Sequence, residues 1–348
     1  MTKPAFVPPM EAKAVEDFPS DSGWQFEPKW DGFRCIAVKQ GGSADLWAKS
    51  GKPLGRYFPE IVDLVRALPG ESVMLDGELI IPLDGAASFD ALQNRLHPAE
   101  SRVRKLSAET PALLITFDLL HLDGTNYLDE PLSRRREELE RYMAGVSDPR
   151  LRLSPVSTDP AVARQWFEDI STELDGVIAK RLDEPYASGE RAMRKIKRIR
   201  SADCVVGGFR YGTGSEQVGS LLLGLYNGEG KLDHVGFTSA IAAKDKPELT
   251  RKLEALKGGT GFTGNAPGGP SRWSTERSAE WVPLRPDLVV EVLYDQVTSG
   301  RFRHGTRLHR WRPDKAPEQC TFDQMAQPAA PDEVIGAVLS APPRQKTH

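Results

Sequence analysis

The apolar residues of this 348-residue chain change their pattern near Ser201, and that change limits what the chain can fold into. Before Ser201, β-rich and helical stretches alternate. Phe26–Val38 and Ser43–Ala48 read as strands joined at Gly41-Gly42, a hairpin signal. Tyr57–Ala67 has helical spacing, with Ile61, Leu64, Val65 and Leu68 on one face. Ser72–Ile81 alternates as a strand, and the apolar run Ala112–Leu122, closed by Asp123-Gly124, reads as a buried one. Leu132–Met143 and Pro160–Leu174 are predicted helices, the second capped by Asp159 with Pro160 in its first turn, and Asp175–Arg181 is a short strand. After Ser201 come the short runs Cys204–Arg210, Ser220–Tyr226, His234–Thr238 and Leu288–Tyr294, each bounded by Gly or Pro. That spacing suits a small β-barrel, with Gly258–Ser271 as a loop inside it. The expectation is an α+β chain with one domain over 1–200, a barrel over 201–327 and a Pro/Ala-rich, partly disordered tail over 328–348.

Hydrophobic residues make up 39% and charged residues 27%, which excludes a disordered polyelectrolyte. No apolar run is long enough to cross a bilayer, and Met1–Met10 has no apolar signal core, so no membrane role is expected. Cys35, Cys204 and Cys320 lie far apart, without metal-ligand spacing. They read as reduced thiols of a cytoplasmic protein, expected to be monomeric. With 46 basic and 49 acidic residues, net charge gives no case for nucleic acid. Its distribution does: Arg191, Arg194, Lys195, Lys197, Arg198 and Arg200 form one basic block, and Arg301, Arg303, Arg307, Arg310, Arg312 and Lys315 a second. Either could track a phosphate backbone or form a solvated face.

Glu27-Pro28-Lys29-Trp30-Asp31-Gly32-Phe33-Arg34 sits where a strand meets a tight Asp-Gly turn. Alone, Lys-x-Asp-Gly also fits a surface hairpin. A neutral lysine amine is a good nucleophile at phosphorus, but lysine ordinarily titrates near ~10.4. Its deprotonation at neutral pH costs about 4 kcal/mol unless cations or desolvation remove that cost. Arg34, Lys195 and Lys197 are the cations that could do so if the fold brings them close.

Further motifs follow in a fixed order. They are Lys49-Ser50-Gly51-Lys52, Leu75-Asp76-Gly77-Glu78-Leu79, Thr116-Phe117-Asp118, Asp175-Gly176-Val177-Ile178-Ala179-Lys180, Met193-Arg194-Lys195-Ile196-Lys197 and Arg310-Trp311-Arg312-Pro313-Asp314-Lys315. In alternating strands, Lys195 and Lys197 point the same way, while Asp175 and Lys180 point to opposite faces unless the strand twists or bends.

This ordered set resembles the nucleotidyltransferase superfamily of polynucleotide ligases and capping enzymes, and is most similar to minimal ATP-dependent DNA ligases of bacteria. The resemblance covers roughly Glu11 to Lys315. It implies antiparallel sheets with flanking helices, followed by an OB-fold barrel. It implies Lys29 as the catalytic residue that takes AMP from ATP, Glu27 at adenine, and Arg34 at the nucleotide and the nick. Lys49 stands where the family has an arginine at phosphate. Glu78 would bind ribose and help hold Mg²⁺ or Mn²⁺ with Asp175, which replaces the usual glutamate. Phe117 would stack on adenine, Lys180 reach the phosphates, and Lys195 and Lys197 grip the α-phosphate. Met193 replaces the usual aromatic. Arg312 and Lys315, on the barrel, would orient the pyrophosphate.

The activity so implied is sealing of nicks in duplex DNA, in DNA repair, with ATP retained as covalent AMP. The first motif is shared with RNA ligases and capping enzymes, and the Arg-x-Asp-Lys ending favours a DNA ligase over them. A non-catalytic DNA-binding barrel is opposed by the retained Lys29, Glu78, Lys195 and Lys197. No protein partner is indicated.

Overall fold

The run Phe26–Val38 does not fold as one strand. In the computed structural model, which describes residues 6–83, 86–169, 175–197, 199–268 and 280–325, Trp24–Pro28 and Phe33–Gln40 belong to different sheets. Residues 29–32 cross between them. Gly32 shows why the chain breaks there: a Cβ at this position would lie 2.0 Å from the Leu79 carbonyl oxygen. Only glycine lets the backbone pass that close.

The described residues divide into two units, the first running to Arg198 and the second beginning at Ile199. The first unit holds a four-stranded sheet in the order Ala12–Val15, Met193–Ile196, Val177–Arg181, Trp24–Pro28. It also holds a six-stranded sheet whose path is Leu151–Leu153, Leu113–Leu122, Ser72–Ile80, Phe33–Gln40, Ser43–Ala48. Pairing is antiparallel except where Ala12–Val15 meets Met193–Ile196 and where Leu151–Leu153 meets Leu113–Leu122.

One face of the larger sheet carries Cys35, Ala37, Leu75, Leu79 and Leu114, packed with Ile61, Leu64 and Val65 of helix Pro59–Ala67 and Leu139 of helix Leu132–Met143. Its other face carries Ile36, Val38, Met74 and Leu120, packed with Met10, Tyr186 and Met193. Period-two alternation assigns these two sets to opposite faces. The smaller sheet buries Trp24, Phe26, Val177, Ala179 and Ile196 against helix Pro160–Asp169. Asp159 accepts a hydrogen bond from the Ala161 N–H at 2.8 Å, as a cap should. Residues 170–174, the end of the predicted helix, lie outside the described residues. Helices Phe89–Arg95 and Glu100–Glu109 were not apparent from the sequence, because each buries only a narrow apolar stripe.

The second unit holds a six-stranded antiparallel sheet whose path is Leu232–Thr238, Val218–Tyr226, Arg200–Tyr211, Val289–Tyr294, Arg307–Trp311, with Val282–Pro283 pairing to Arg200–Tyr211 off that path. Thr238 bridges to Thr306, so the sheet's two ends meet and the barrel closes. In the chain, helix Lys246–Glu254 falls between strands Leu232–Thr238 and Val289–Tyr294. This is OB-fold topology, with Phe209, Leu223, Leu225, Val235 and Val292 in its interior. The predicted loop is described to Gly268, and the tail from residue 326 lies outside the described residues.

Candidate active site

The crossover that Gly32 permits carries Lys29. Its backbone is tied to the second half of the unit by two hydrogen bonds. The Lys29 N–H donates to the Gly176 carbonyl at 2.9 Å, and the Asp175 N–H donates to the Lys29 carbonyl at 3.0 Å. Trp30 anchors the same loop, donating its indole N–H to Ser154 Oγ at 3.0 Å and packing on Ile80 and Ile115.

The Lys29 amine is ion-paired with Asp175, and Lys197 lies 3.2 Å from the same carboxylate oxygen. Asp175 precedes the strand Val177–Arg181 rather than belonging to it. Gly176 has φ +132°, and a Cβ there would lie 2.0 Å from the Ile196 carbonyl oxygen. The glycine breaks the alternation that would otherwise set Asp175 by simple parity.

Register places the remaining residues of the small sheet. Ile178 lies opposite Glu27 and Lys195, and Lys180 opposite Gln25. Glu27, Lys180 and Lys195 therefore share the face away from helix Pro160–Asp169. On the larger sheet Arg34 lies opposite Glu78. Asp76 pairs with Asp118 while Gly77 pairs with Thr116, so Phe117 is the extra residue of a bulge. A bulge re-aims its side chain, and Phe117 takes a place beside Arg34 and Lys180. The Arg34 Cζ is 4.6 Å and the Lys180 Nζ 4.5 Å from the Phe117 ring centroid.

Glu27, Lys29, Arg34, Lys49, Glu78, Phe117, Lys180 and Lys195 all line one cavity of about 390 Å³. Small-molecule sites usually span ~300–1,000 Å³. Asp175 and Lys197 join it through their contacts with Lys29. Two sets of contacts border it: Lys180 with Glu27 and Phe117, and Lys29 with Asp175, which Lys197 also meets.

Of the cations expected near Lys29, the fold gives Arg34 another task. Its Nε and one terminal nitrogen each lie 2.6 Å from the buried Asp76 carboxylate, and Tyr186 donates to Asp76 at 2.6 Å. Burial opposes the Arg34 charge, but Asp76 outweighs it and holds the guanidinium above its ordinary range. A second buried pair lies behind it. Arg135 donates to both oxygens of Asp118 at 2.8 and 3.0 Å and stands 5.6 Å from the Tyr186 ring centroid. Sequence reading assigned no role to Asp76, Asp118, Arg135 or Tyr186. Their partners lie far away in the chain, and nothing local marks them.

Lys195 is shifted down, first by burial, then by Lys197 and Lys29. Lys49 is more than half exposed and lies 3.0 Å from Glu11, whose carboxyl it holds below the usual range by hydrogen bonding. In the second unit, Arg312 and Lys315 converge on Asp203. One Arg312 nitrogen lies 2.9 and 3.0 Å from its two oxygens, and Lys315 lies 2.7 Å from one of them. Arg312 also hydrogen-bonds Asp314 and holds it at about 2.

Burial pushes the Glu78 carboxyl up to about 7, with Asp31 and Asp76 adding to the shift and Arg34 and Lys29 opposing it. The folded chain therefore keeps a proton between about pH 4.5 and pH 7 that the unfolded chain has released. The stability this gives is full below pH 4.5 and is lost as pH rises through 7. Thermal melting of the nucleotide-free protein should show a falling contribution over this window. Glu78→Gln should remove it, and an unchanged pH slope in that variant would count against the shift.

The family described as ATP dependent DNA ligase domain matches residues 9–197, and the ATP dependent DNA ligase C terminal region matches residues 214–315. The chain is 43% identical to DNA ligase C1 of Mycolicibacterium smegmatis, covering 92% of this chain and 94% of that protein. It is 41% identical to DNA ligase C of Mycobacterium tuberculosis, with the same coverages of 92% and 94%. Among solved structures, a Lig E DNA ligase superposes with a TM-score of 0.56 at 15% identity over 87% of this chain and 99% of that one, a likeness of fold. Two matched domains, and relatives aligned over nearly their whole length, make this chain a member of the ATP-dependent DNA ligase family.

Proposed function

We propose that this chain seals nicks in duplex DNA, in DNA repair, by three in-line displacements at phosphorus, with Lys29 carrying AMP between ATP and the DNA. The observation that carries this reading is that Lys29 lines a cavity shared with Glu78 and Lys195, with its amine paired to Asp175, which Lys197 also meets.

In the first step the Lys29 nitrogen attacks the α-phosphorus of ATP, the bond to pyrophosphate breaks, and a phosphoramide remains. Asp175, already paired with the amine, is the nearest carboxylate to take its proton. Lys195 and Lys197 stabilise charge on the α-phosphate, and Arg312 and Lys315 orient the leaving pyrophosphate. Next a DNA 5′-phosphate oxygen attacks the same phosphorus and the lysine amine departs. Finally a 3′-hydroxyl attacks the activated 5′-phosphorus and AMP leaves. Little base readout is required, because a nick sealer meets any sequence and holds the backbone.

A divalent ion here would arrive with the nucleotide. Among the described residues no cluster of three or more His, Cys, Asp or Glu could hold a metal unaided. Mg²⁺ commonly takes one or two carboxylates and completes its shell with phosphate oxygens and water. Glu78 and Asp175 would be the carboxylates for it, and the ion would supply charge neutralisation at the phosphates.

Incubation with α-labelled ATP, GTP or NAD, followed by a chase with nicked duplex, tests the reading. Label should enter the protein from ATP alone and pass to DNA, and Lys29→Ala should abolish both. Labelling from GTP instead, or labelling that survives in Lys29→Ala, would overturn it.

A further inference from the structure

We propose that Arg301 and His234 form an anion site on the barrel that takes one phosphate of the DNA backbone, with Arg301 as the contacting cation and His234 as the neutral group that holds it in place. The site rests on the reading of this chain as a nick-sealing ligase and adds a named phosphate contact to it.

A tight turn sets Arg301 in place. Val297–Thr298 pairs with Arg301–Phe302, and the two turn residues between them, Ser299 and Gly300, have φ +50° and +70°, the positive values that two-residue hairpins favour. Phe302 is buried, its ring centroid 4.8 Å from that of Tyr294. Alternation turns Arg301 the other way, and it stays exposed. A Cβ at Gly236 would lie 2.8 Å from the Phe302 ring, so the hairpin sits directly against strand Leu232–Thr238, which carries His234.

Arg301 donates to His234 Nδ1 at 2.6 Å. A guanidinium can only donate, so Nδ1 is the acceptor and the ring proton sits on Nε2. The ring is buried and edge-on to Phe262, with centroids 5.2 Å apart, and its Nε2 has no hydrogen-bond partner among the described residues. Burial, then the charges of Arg301 and Arg210, push the imidazole down to about 3, so it stays neutral at physiological pH.

Other cations of the second basic block have acidic partners. Arg310 lies 2.6 Å from Glu291, and Arg312 and Lys315 lie against Asp203. Arg301 is held differently. A carboxylate in the place of His234 would fix it equally well but cancel its charge, whereas a neutral imidazole fixes it and leaves the charge available. Packing beneath Arg301 lowers its guanidinium below the ordinary range, and no carboxylate offsets that shift. A cation kept at that cost suits an anion arriving from outside, and its planar fork of N–H donors matches the oxygens of a phosphate. Phe237, three residues beyond His234 on the same strand, is 40% exposed. A deoxyribose can cover such an apolar surface and a free inorganic ion cannot, which favours the DNA backbone as the source of the phosphate.

Fluorescence anisotropy with a labelled nicked duplex, ending in a 3′-dideoxynucleotide at the nick, reads binding without sealing across a salt series. Each phosphate contact contributes about 0.9 to the slope of log affinity against log salt. Arg301→Met should weaken binding about three- to tenfold near physiological salt and lower that slope by about one. Arg301→Lys should keep the slope and lose part of the affinity. His234→Gln, which retains a neutral acceptor, should cost less than Arg301→Met. His234→Glu should match Arg301→Met in both readings, because it holds the guanidinium and cancels its charge. Self-adenylation from α-labelled ATP involves no DNA and should be unchanged in all four.

An unchanged salt slope in Arg301→Met, whatever its melting temperature, would overturn the site. A wild-type slope in His234→Glu would overturn the role given to His234. Loss of adenylation in a folded Arg301→Met protein would assign the cation to the phosphates of ATP. Calorimetric binding of inorganic phosphate that Arg301→Met loses, with nick affinity intact, would assign it to a free ion. Either result would overturn the DNA contact. If His234→Glu does not fold, Arg301→Met and Arg301→Lys still decide the case. Wild-type protein that fails to bind the nicked duplex would instead sink the ligase reading on which the site rests.

Discussion

Gly32→Ala should reduce adenylation of Lys29 by at least about a hundredfold while leaving a folded protein. The added methyl would lie 2.0 Å from the Leu79 carbonyl oxygen and 3.0 Å from the Glu78 side chain. No rotamer change relieves a clash between a Cβ and a backbone oxygen, so the crossover must shift away from strand Ser72–Ile80. Forced overpacking of this kind costs about 1–3 kcal/mol in stability. The kinetic cost is larger. Lys29 stands three residues from the clash on the same short crossover, and a displacement of ~1 Å at a reacting group can cost about a hundredfold in rate. Labelling with α-labelled ATP measures it, alongside a thermal melt. Near-normal labelling in a variant that melts normally would show that the close approach at Gly32 does not position the amine.

Arg135→Met should be the most destabilising single change in the first unit, by about 3–5 kcal/mol. Arg135 and Asp118 are each 1% exposed in their side chains, and the pair is bidentate. Removing the cation leaves a carboxylate buried without its partner. Arg135 also donates to the Glu130 and Glu184 carbonyls at 2.6 and 3.2 Å, and those carbonyls would lose their donor as well. For a unit of this size each kcal/mol moves the melting temperature by roughly 2–4 °C, so a fall of roughly 6–20 °C is expected.

The damage should reach the site, because Asp118 follows the bulged Phe117 and packs in the same buried network as Tyr186 and Asp76. A raised KM for ATP is the expected kinetic sign. Asp118→Leu combined with Arg135→Met should recover much of the lost stability, since replacing a buried pair by apolar groups is commonly near neutral. A double variant no more stable than Arg135→Met would show that the charge left behind is not the cause.

The change of pattern at Ser201 was legible because a run of short strands between Gly and Pro differs from alternating strands and helices over many residues. The division of Phe26–Val38 was not. Trp24–Pro28 is buried at every position, and Phe33–Gln40 has buried residues on both faces. Two-sided burial hides the phase slip that would mark a change of sheet. Asp175 was hard to aim for a related reason. Parity along a strand holds only while the strand lasts, and Gly176 ends it.

Lys29, Glu78, Lys195 and Lys197 could be nominated from order and residue type, since chemistry at phosphorus needs an amine, carboxylates and cations whatever the fold. What neighbours each of them could not. Arg34 was read as a cation available to Lys29 or to the nucleotide, and it is held bidentate by Asp76. Lys180 was read as a phosphate contact, and it lies against Glu27 and Phe117. Residue identity and local spacing set which groups can react, because those properties travel with a few neighbouring positions. Which charge meets which depends on sheet register, one bulge and two glycine close approaches. These are set by contacts between segments tens to well over a hundred residues apart, and only the folded chain decides them.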